Sequence, residues 1–222
     1  MDNSITPIPA KTRIMIVDDH PILREGMALF LNLQPDLQVC CLAASAADAL
    51  AAMSTCTHVL AIVDLSLDDD SGLNLIKTLR QRYPNLRLLA LSMHEETLFA
   101  ERALRAGANG YLMKQEGTTN ILSAVQQILA GNVYLSQVMQ NLLNQRLLSP
   151  QLNKASNVRS LSEREFEVLH LISLGFGTRQ IAEKLGRSIK TIDAHRAGIK
   201  EKLNLKSGRD LDRLAAQLLE AG

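Results

Sequence analysis

Two kinds of hydrophobic pattern divide the chain. Over roughly the first 130 residues, short aliphatic runs alternate with stretches whose apolar residues recur at helical spacing. This alternation is typical of a parallel sheet with helices on both faces. The aliphatic runs predict five strands, at 13–17, 38–43, 58–63, 86–92 and 110–113, and the stretches between and after them predict helices at 21–33, 45–53, 72–83, 95–107 and 119–131.

The pattern changes after Gly131. Residues 136–148 have helical spacing and are followed by a polar, turn-rich stretch, which predicts a linker helix and a flexible linker. Beyond it all the apolar spacing is helical, Ser162 and Glu165 have the spacing of a capping box, and Gly186 marks a short turn typical of a helix-turn-helix. The predicted helices lie at 163–175, 178–186, 188–203 and 208–221, and the predicted divisions are a tail (1–11), an α/β domain (12–132), a linker (133–157) and a smaller all-α domain (158–222).

The net charge of +1 hides an asymmetry between the two parts of the chain. Residues 1–150 hold 11 Lys and Arg against 14 Asp and Glu, whereas residues 151–222 hold 13 against 9. A basic C-terminal part indicates a nucleic-acid partner. No apolar run approaches the roughly 18 residues of a membrane span, and the first ten residues lack the features of a signal peptide. We therefore expect a cytoplasmic protein without a membrane partner.

The three cysteines, Cys40, Cys41 and Cys56, are too few and too irregularly spaced for a disulfide framework. Their spacing does not indicate a zinc site either. Free cysteines are among the most often buried residues, so we expect reduced thiols in the core.

Polar residues follow four of the five predicted strands. Asp18 and Asp19 follow the first strand, Asp64 the third and Lys114 the fifth, and Ser92 ends the fourth. Ligands of an open parallel sheet bind outside the carboxyl ends of its strands, so these side chains should converge. The second strand contributes no comparable residue, as expected of a strand at the sheet edge.

Three facing carboxylates repel one another and require a cation, and hard oxygen ligands favour Mg²⁺. A carboxylate at such a site can attack a phosphoryl group while the metal and a lysine neutralise its charge and a hydroxyl hydrogen-bonds to it. Lys114 and Ser92 fit the last two roles.

Several segments resemble known motifs. IVDDHPILREGM, DLSLDDDSGL, LALSMHEE and GANGYLMK resemble those of response-regulator receiver domains, and LSEREFEVLHLISLGFGTRQIAEKLGRSIKTIDAHRAGIKEKLNL resembles the LuxR-type helix-turn-helix. In this order they resemble the NarL/FixJ class of two-component regulators from about residue 12 to 215. The resemblance implies a flavodoxin-like, five-stranded doubly wound receiver domain joined to a DNA-binding domain.

The resemblance also implies roles for single residues. Asp64 would accept a phosphoryl group from a sensor histidine kinase, Asp19 would ligate Mg²⁺ directly, Asp18 would help to hold it, and the backbone carbonyl of Ser66 would complete the protein's ligands.

For the switch, the resemblance implies that the Ser92 hydroxyl moves toward the phosphate and that Tyr111 turns inward when it does. Phosphorylation would then control homodimerisation and promoter binding, with RNA polymerase as a further partner. Helix 4, strand 5 and helix 5 would form the switching surface.

The sequence departs from the family after the phosphoacceptor. Such proteins usually carry proline four residues later, where this chain has Asp68, followed by Asp69 and Asp70. The three aspartates add negative potential beside a site that must admit a phosphodonor, so we expect less efficient phosphorylation.

In the helix at 188–203, Ile189, Ile192, Ile199 and Leu203 share one face, which we expect to pack on its domain. The opposite face is available to a major groove, and basic residues near it can contact phosphates. Asp193 stands where many relatives have lysine, which would trade affinity for specificity. The candidate DNA contacts are Thr178, Arg179, Arg187, Ser188, Lys190, Thr191, Asp193, Ala194, Arg196, Ala197 and Lys200.

Two alternative functions remain open. A Mg²⁺-dependent phosphohydrolase could use Asp64 as its covalent nucleophile, but Ser66 occupies the place where such enzymes often have a second carboxylate. An atypical regulator could bind DNA without any use of phosphate. We expect a regulator, not an enzyme.

Overall fold

The structure, a computed structural model, describes residues 11–67, 72–93, 96–141 and 160–220. The chain divides into two compact units, Met1–Asn144 and Gln145–Gly222. Asp68, Asp69 and Asp70 lie outside the described residues, as do the later part of the predicted linker helix and the flexible linker up to residue 159.

The first unit is built on a five-stranded parallel sheet with the strand order β2-β1-β3-β4-β5. The five predicted strands are confirmed, and β2 lies at the edge as expected. The elements are β1 (Thr12–Val17), α1 (Pro21–Asn32), β2 (Leu37–Ala43), α2 (Ala46–Thr55), β3 (Leu60–Asp64), α3 (Gly72–Arg82), β4 (Arg87–Ser92), α4 (Glu96–Ala106), β5 (Gly110–Met113), a 3-10 turn (Lys114–Glu116) and α5 (Thr118–Leu129).

Helices cover both faces of this sheet. On one face α1 and α5 pack over a core that includes Ile14, Ile62 and Leu112. Side chains alternate along a strand, so Met15, Val63 and Tyr111 point to the other face, where α2, α3 and α4 lie side by side. Burial of both faces explains why the central strands are continuous apolar runs in the sequence.

The chain after α5 adds to the β5 edge of the sheet. Tyr134 forms a parallel bridge with Gly110, and its backbone N–H and carbonyl bond to Asn109 and Tyr111. A helix, α6, begins at 137 and is described through 141. The buried carboxylate of Glu96 accepts a 2.8 Å bond from the backbone N–H of Ser136, which ties this segment to α4.

The second unit is all-helical. The predicted capping box is confirmed, since the Ser162 hydroxyl accepts from the Glu165 N–H and the Glu165 carboxylate accepts from the Ser162 N–H. Gly186 has φ +61° in the turn between the second and third helices, where an L side chain would be strained. The helices are α7 (Glu163–Ser173), α8 (Thr178–Lys184), α9 (Ile189–Lys202) and α10 (Gly208–Glu220).

Two expectations about burial were wrong. Ile189 is 49% exposed, whereas Ile192, Ile199 and Leu203 are buried as predicted. Ile189 is the first residue of α9, and helical side chains lean toward the N-terminus, so its side chain projects beyond the packed turn. The cysteines are free thiols but only half-buried, because they lie at the edge strand and at the end of α2 and not inside the core.

Candidate functional site

Two buried carboxylates and one lysine form the centre of a site at the carboxyl ends of the strands. Asp18 follows β1, Asp64 ends β3, and both are fully buried. The Lys114 ammonium lies 2.7 Å from Asp64 Oδ2 and 2.8 Å from Asp18 Oδ2, and its side chain is 4% exposed. Three residues from three strand ends thus form one contiguous ion-pair cluster.

Backbone groups hold the carboxylates in place. The Ser66 N–H donates to Asp64 Oδ1 at 2.9 Å, and the His20 N–H donates to Asp18 Oδ1 at 2.8 Å. The Arg24 guanidinium donates to the Asp18 carbonyl oxygen at 2.5 Å. These bonds leave Oδ2 of both aspartates directed to Lys114.

Burial and the ion pairs have opposite effects on the pKa values of Asp64 and Lys114. Burial raises the pKa of Asp64, and Lys114 and the Ser66 N–H offset only part of this effect. Burial also lowers the pKa of Lys114, but Asp64 and Asp18 outweigh it, so that the pKa of the ammonium is raised overall. Lys114 therefore stays charged, and further positive charge would favour the ionised form of Asp64.

The same cluster has the ligand set of a cation site. One ligand atom each of Asp18, Asp19, His20 and Asp64 lies within 4.8 Å of the others. Asp19 is 14% exposed, so the site opens to solvent on its side, and His20 Nδ1 lies 2.7 Å from Asp19 Oδ1. Carboxylate oxygens that are partly open to water fit the coordination of Mg²⁺, which retains several water ligands.

Ser92 and Tyr111 lie on the strands beside this cluster. Ser92 ends β4 and pairs with Met113, directly before Lys114, while its neighbour Leu91 pairs with Asp64. Ser92 is fully buried and Tyr111 is 1% exposed, so the tyrosine ring points inward.

Residue patterns did not indicate the role of Arg80. Its guanidinium donates to the carbonyl oxygens of Gly107 and Leu86 and to Asn109 Oδ1 at 2.7–3.0 Å. Asn109 Oδ1 also accepts from the Leu88 N–H at 3.0 Å. Arg80 thereby joins the end of α3 to the turn that starts β5 and so supports the strand that carries Lys114. The sequence feature that could have indicated this role is a basic residue in the last turn of α3.

In the second unit, α8 and α9 form the predicted helix-turn-helix. Arg179, Arg187, Lys190, Asp193, Ala194 and Ala197 are exposed, and Thr178 and Lys200 are partly exposed. This leaves a mixed polar and small-residue face of α9 open to a partner.

Three of the predicted contact residues have partners within the unit. Ser188 caps α9 by accepting from the Thr191 N–H at 3.1 Å, and the two hydroxyls lie 2.8 Å apart. The Arg196 side chain is only 19% exposed and lies 3.2 Å from Asp212 Oδ1. Part of the polar surface of α9 is therefore used within the unit, to cap the helix and to pair with α10.

Comparisons with known proteins agree with this arrangement. The response regulator receiver domain family matches residues 14–126, and the family of bacterial regulatory proteins of luxR type matches residues 159–215. Oxygen regulatory protein NreC of Staphylococcus carnosus is 34% identical over 204 residues, which cover 90% of this chain and 94% of NreC.

The chain belongs to the two-component response regulators of the NarL/FixJ type. As a member of this family, the regulator combines a receiver domain with a LuxR-type DNA-binding domain. Among its described residues, no helix is both long enough and apolar enough to cross a membrane.

Solved structures support the assignment of this regulator. One of them is RcsB from Salmonella enterica serovar Typhimurium, bound to promoter rprA in the presence of the phosphomimetic BeF3-. It is 25% identical to this chain, the match covers 93% of this chain and 98% of that chain, and the TM-score is 0.58. A two-component response regulator of the LuxR family from Aurantimonas sp. is 31% identical over 63% of this chain and all of that chain, also with a TM-score of 0.58.

Proposed function

We propose that a sensor histidine kinase phosphorylates Asp64 and that phosphorylation controls dimerisation and promoter binding. The contact that carries this proposal is the bridge from Lys114 to both Asp64 and Asp18. It places a charged ammonium beside a buried carboxylate that ends a strand, where a phosphoryl group could be received and neutralised.

In the transfer step, an Asp64 carboxylate oxygen attacks the phosphorus atom of phosphohistidine. The new oxygen–phosphorus bond forms as the nitrogen–phosphorus bond breaks, and the imidazole of the kinase leaves with its electron pair. Lys114 neutralises the phosphoryl oxygens, while the Ser66 N–H orients the attacking carboxylate. The product is an acyl phosphate on Asp64.

The acidic cluster fits Mg²⁺. Asp19 and Asp64 would be its direct ligands, with Asp18 in support and the Ser66 carbonyl as a further oxygen. When bound, the metal supplies positive charge to the transferred phosphoryl oxygens. Asp19 suits the role of a direct metal ligand because its side chain is the more exposed of the two aspartates that follow β1.

The switch would act through Ser92 and Tyr111. Ser92 lies one residue from the partner of Asp64 in the sheet, and Tyr111 occupies the same face as α4. The bond from Ser136 to Glu96 continues this surface from α4 into the segment before α6. A shift at Ser92 could thus reach the chain that leads out of the receiver domain.

The DNA-binding role is proposed for α9, with Asp193, Ala194 and Ala197 toward the major groove and Lys190, Arg179 and Arg187 toward phosphates. Two RcsB dimers bind two parallel DNAs in one related structure, which supports a homodimer on two half-sites here. The proposed divisions are the tail (1–11), receiver (12–132), linker (133–157) and DNA-binding domain (158–222). The proposed setting is the cytoplasm, with RNA polymerase as a partner.

Intact mass measurement after exposure to a small phosphodonor tests the acceptor. Wild type should gain one phosphoryl group, and Asp64→Asn should gain none. Asp36→Asn, at an exposed aspartate before β2, is the matched control and should label like wild type. Equal labelling of Asp64→Asn and wild type would refute the assignment.

Gel shift on promoter DNA tests the consequence. Phosphodonor should increase binding by wild type and leave Asp64→Asn unchanged. If both bind equally with and without phosphodonor, the regulator works without phosphate.

A further inference from the structure

Two cysteines and one histidine meet near the edge strand, with the third cysteine beside them. The ligand atoms of Cys40, Cys41 and His58 lie within 4.8 Å of one another. Cys56 lies beside Cys41, close enough to help raise the pKa of that thiol, but its sulfur is not one of the atoms in the 4.8 Å set. Two ligands come from β2, one from the residue that ends α2 and one from the chain before β3.

A β-bulge explains how two adjacent cysteines share one face. Ile14 pairs with Val39, but the next residue of β1, Met15, pairs with Cys41, so Cys40 is the extra residue. Val39 packs on the α1 and α5 face, and strict alternation would return Cys41 to that face. The bulge moves Cys41 to the face of Met15, where Cys40 already points. Bulges are known to redirect side chains at functional positions.

The ring nitrogens of His58 are buried and poorly satisfied. Among the described residues, the backbone of Cys56 is the one group near enough to act on the ring as a hydrogen-bond partner, and no well-formed hydrogen bond reaches either nitrogen. Buried polar atoms without a well-formed hydrogen bond are rare, and a bound ion or water is a common explanation for them.

The charges around the cluster also balance. Three thiolates and one neutral imidazole would leave a divalent cation with a net charge of −1. The Arg13 guanidinium interacts with the Cys40 thiol and would supply the compensating positive charge. Zn²⁺ binds thiolates and not thiols, so binding here would release protons from the cysteines.

We propose that Cys40, Cys41, Cys56 and His58 form a site for Zn²⁺. Thiolate sulfur and imidazole nitrogen are the ligands that Zn²⁺ prefers, and three cysteines with one histidine complete a tetrahedral structural site. The site joins β2, α2 and the start of β3, so that zinc would stabilise the edge of the sheet. It is separate from the acidic cluster, which has only oxygen ligands and His20 and lies beyond the other ends of β1 and β3.

Zinc titration of the full-length, reduced protein in the presence of Mg²⁺ tests the proposal. Native mass spectrometry should find one Zn²⁺ per chain in wild type. A chelator competition should show binding at least about 10-fold weaker in His58→Gln and in Cys41→Ser, since losing even an outer partner of a ligand has that effect. With Co²⁺ as the probe, wild type should show thiolate-to-cobalt absorption, and Cys41→Ser should lose most of it.

Two controls separate this site from the acidic one. Asp19→Ala and Asp64→Asn should bind Zn²⁺ like wild type, whatever happens to phosphorylation. His58→Gln changes a half-buried loop residue and is the variant to rely on if Cys41→Ser unfolds. The proposal is overturned if Asp19→Ala loses the zinc while His58→Gln keeps it. It is also overturned if the reduced wild type binds no Zn²⁺.

Discussion

Gly72 at the start of α3 lies so close to Asp64 that a Cβ atom on it would be 2.1 Å from the Asp64 carbonyl oxygen. The same Cβ would be 2.5 Å from the Leu65 Cα. The Gly72 N–H donates to the Leu65 carbonyl at 3.1 Å, which holds the two segments together. The proposed phosphoacceptor is thus positioned by direct backbone packing with α3. Only glycine, which has no Cβ atom, allows the two backbones to come this close.

Gly72→Ala should therefore disturb the site and the fold together. Neither contact is with a flexible side chain, so the backbone must move, and we expect a loss of about 1–3 kcal/mol in the free energy of unfolding. Labelling of Asp64 by a phosphodonor should fall as well. Urea unfolding and intact mass measure the two effects.

Gly26→Ala is the matched control. Gly26 lies in the exposed middle of α1, and nothing comes within 4 Å of a Cβ placed there. This change should raise stability by about 0.5–1 kcal/mol and leave labelling unchanged. Equal effects of the two substitutions would contradict the packing argument.

Arg80→Lys should destabilise the receiver domain although it keeps the charge. Lysine cannot reproduce the planar fork that serves Gly107, Asn109 and Leu86 at once, so buried acceptors lose donors. We expect a loss of about 2 kcal/mol in urea unfolding. Arg82→Lys, two residues on and exposed, should change little, and a similar loss there would show that arginine content rather than the hydrogen bonds matters.

The pair of Glu165 and Lys202 should make the second unit sensitive to acid. Their charged atoms lie 2.6 Å apart, and although burial raises the pKa of Glu165, bonds from Lys202 and Ser162 outweigh it and lower the pKa below the usual 4.5. A lowered pKa means that the stabilisation is complete above 4.5 and is lost as the pH falls through the folded-state value.

Hydrogen exchange of the α7 and α9 amides in the full chain measures this effect. Glu165→Gln should exchange faster than wild type at neutral pH, and the difference should shrink well below pH 4.5. Glu201→Gln changes an exposed carboxylate on α9 and serves as the control. A difference between Glu165→Gln and wild type that is constant with pH would exclude the ion pair as its cause.

Lys190→Ala should weaken DNA binding about equally on all sequences. If Lys190 neutralises one phosphate, the slope of log affinity against log salt should decrease in magnitude by about 0.9. Fluorescence anisotropy over a salt series measures this slope. Arg213→Ala removes an equal charge from α10, where Arg213 pairs with Asp210, and should leave the slope unchanged.

Much of the architecture was predictable because it follows from local patterns. Buried parallel strands are continuous apolar runs, so all five were predicted within two residues at each end. The capping box at Ser162 and the turn at Gly186 depend on neighbouring residues and were also confirmed. The convergence of Asp18, Asp64 and Lys114 was predictable because parallel strands end at the same edge of a sheet.

What the sequence by itself determined is therefore what periodicity and strand direction encode: the two fold classes, the edge position of β2 and the grouping at the strand ends. Tertiary structure decided the pairing of Lys114 with both aspartates, the hydrogen bonds of Arg80, the exposure of Ile189 and the meeting of Cys40 and Cys41 with His58. The cluster of cysteines and His58 shows why such contacts cannot be predicted from the sequence pattern. It depends on one extra residue in the register between β1 and β2 and on the packing of α2, and neither leaves a periodic signal in the chain.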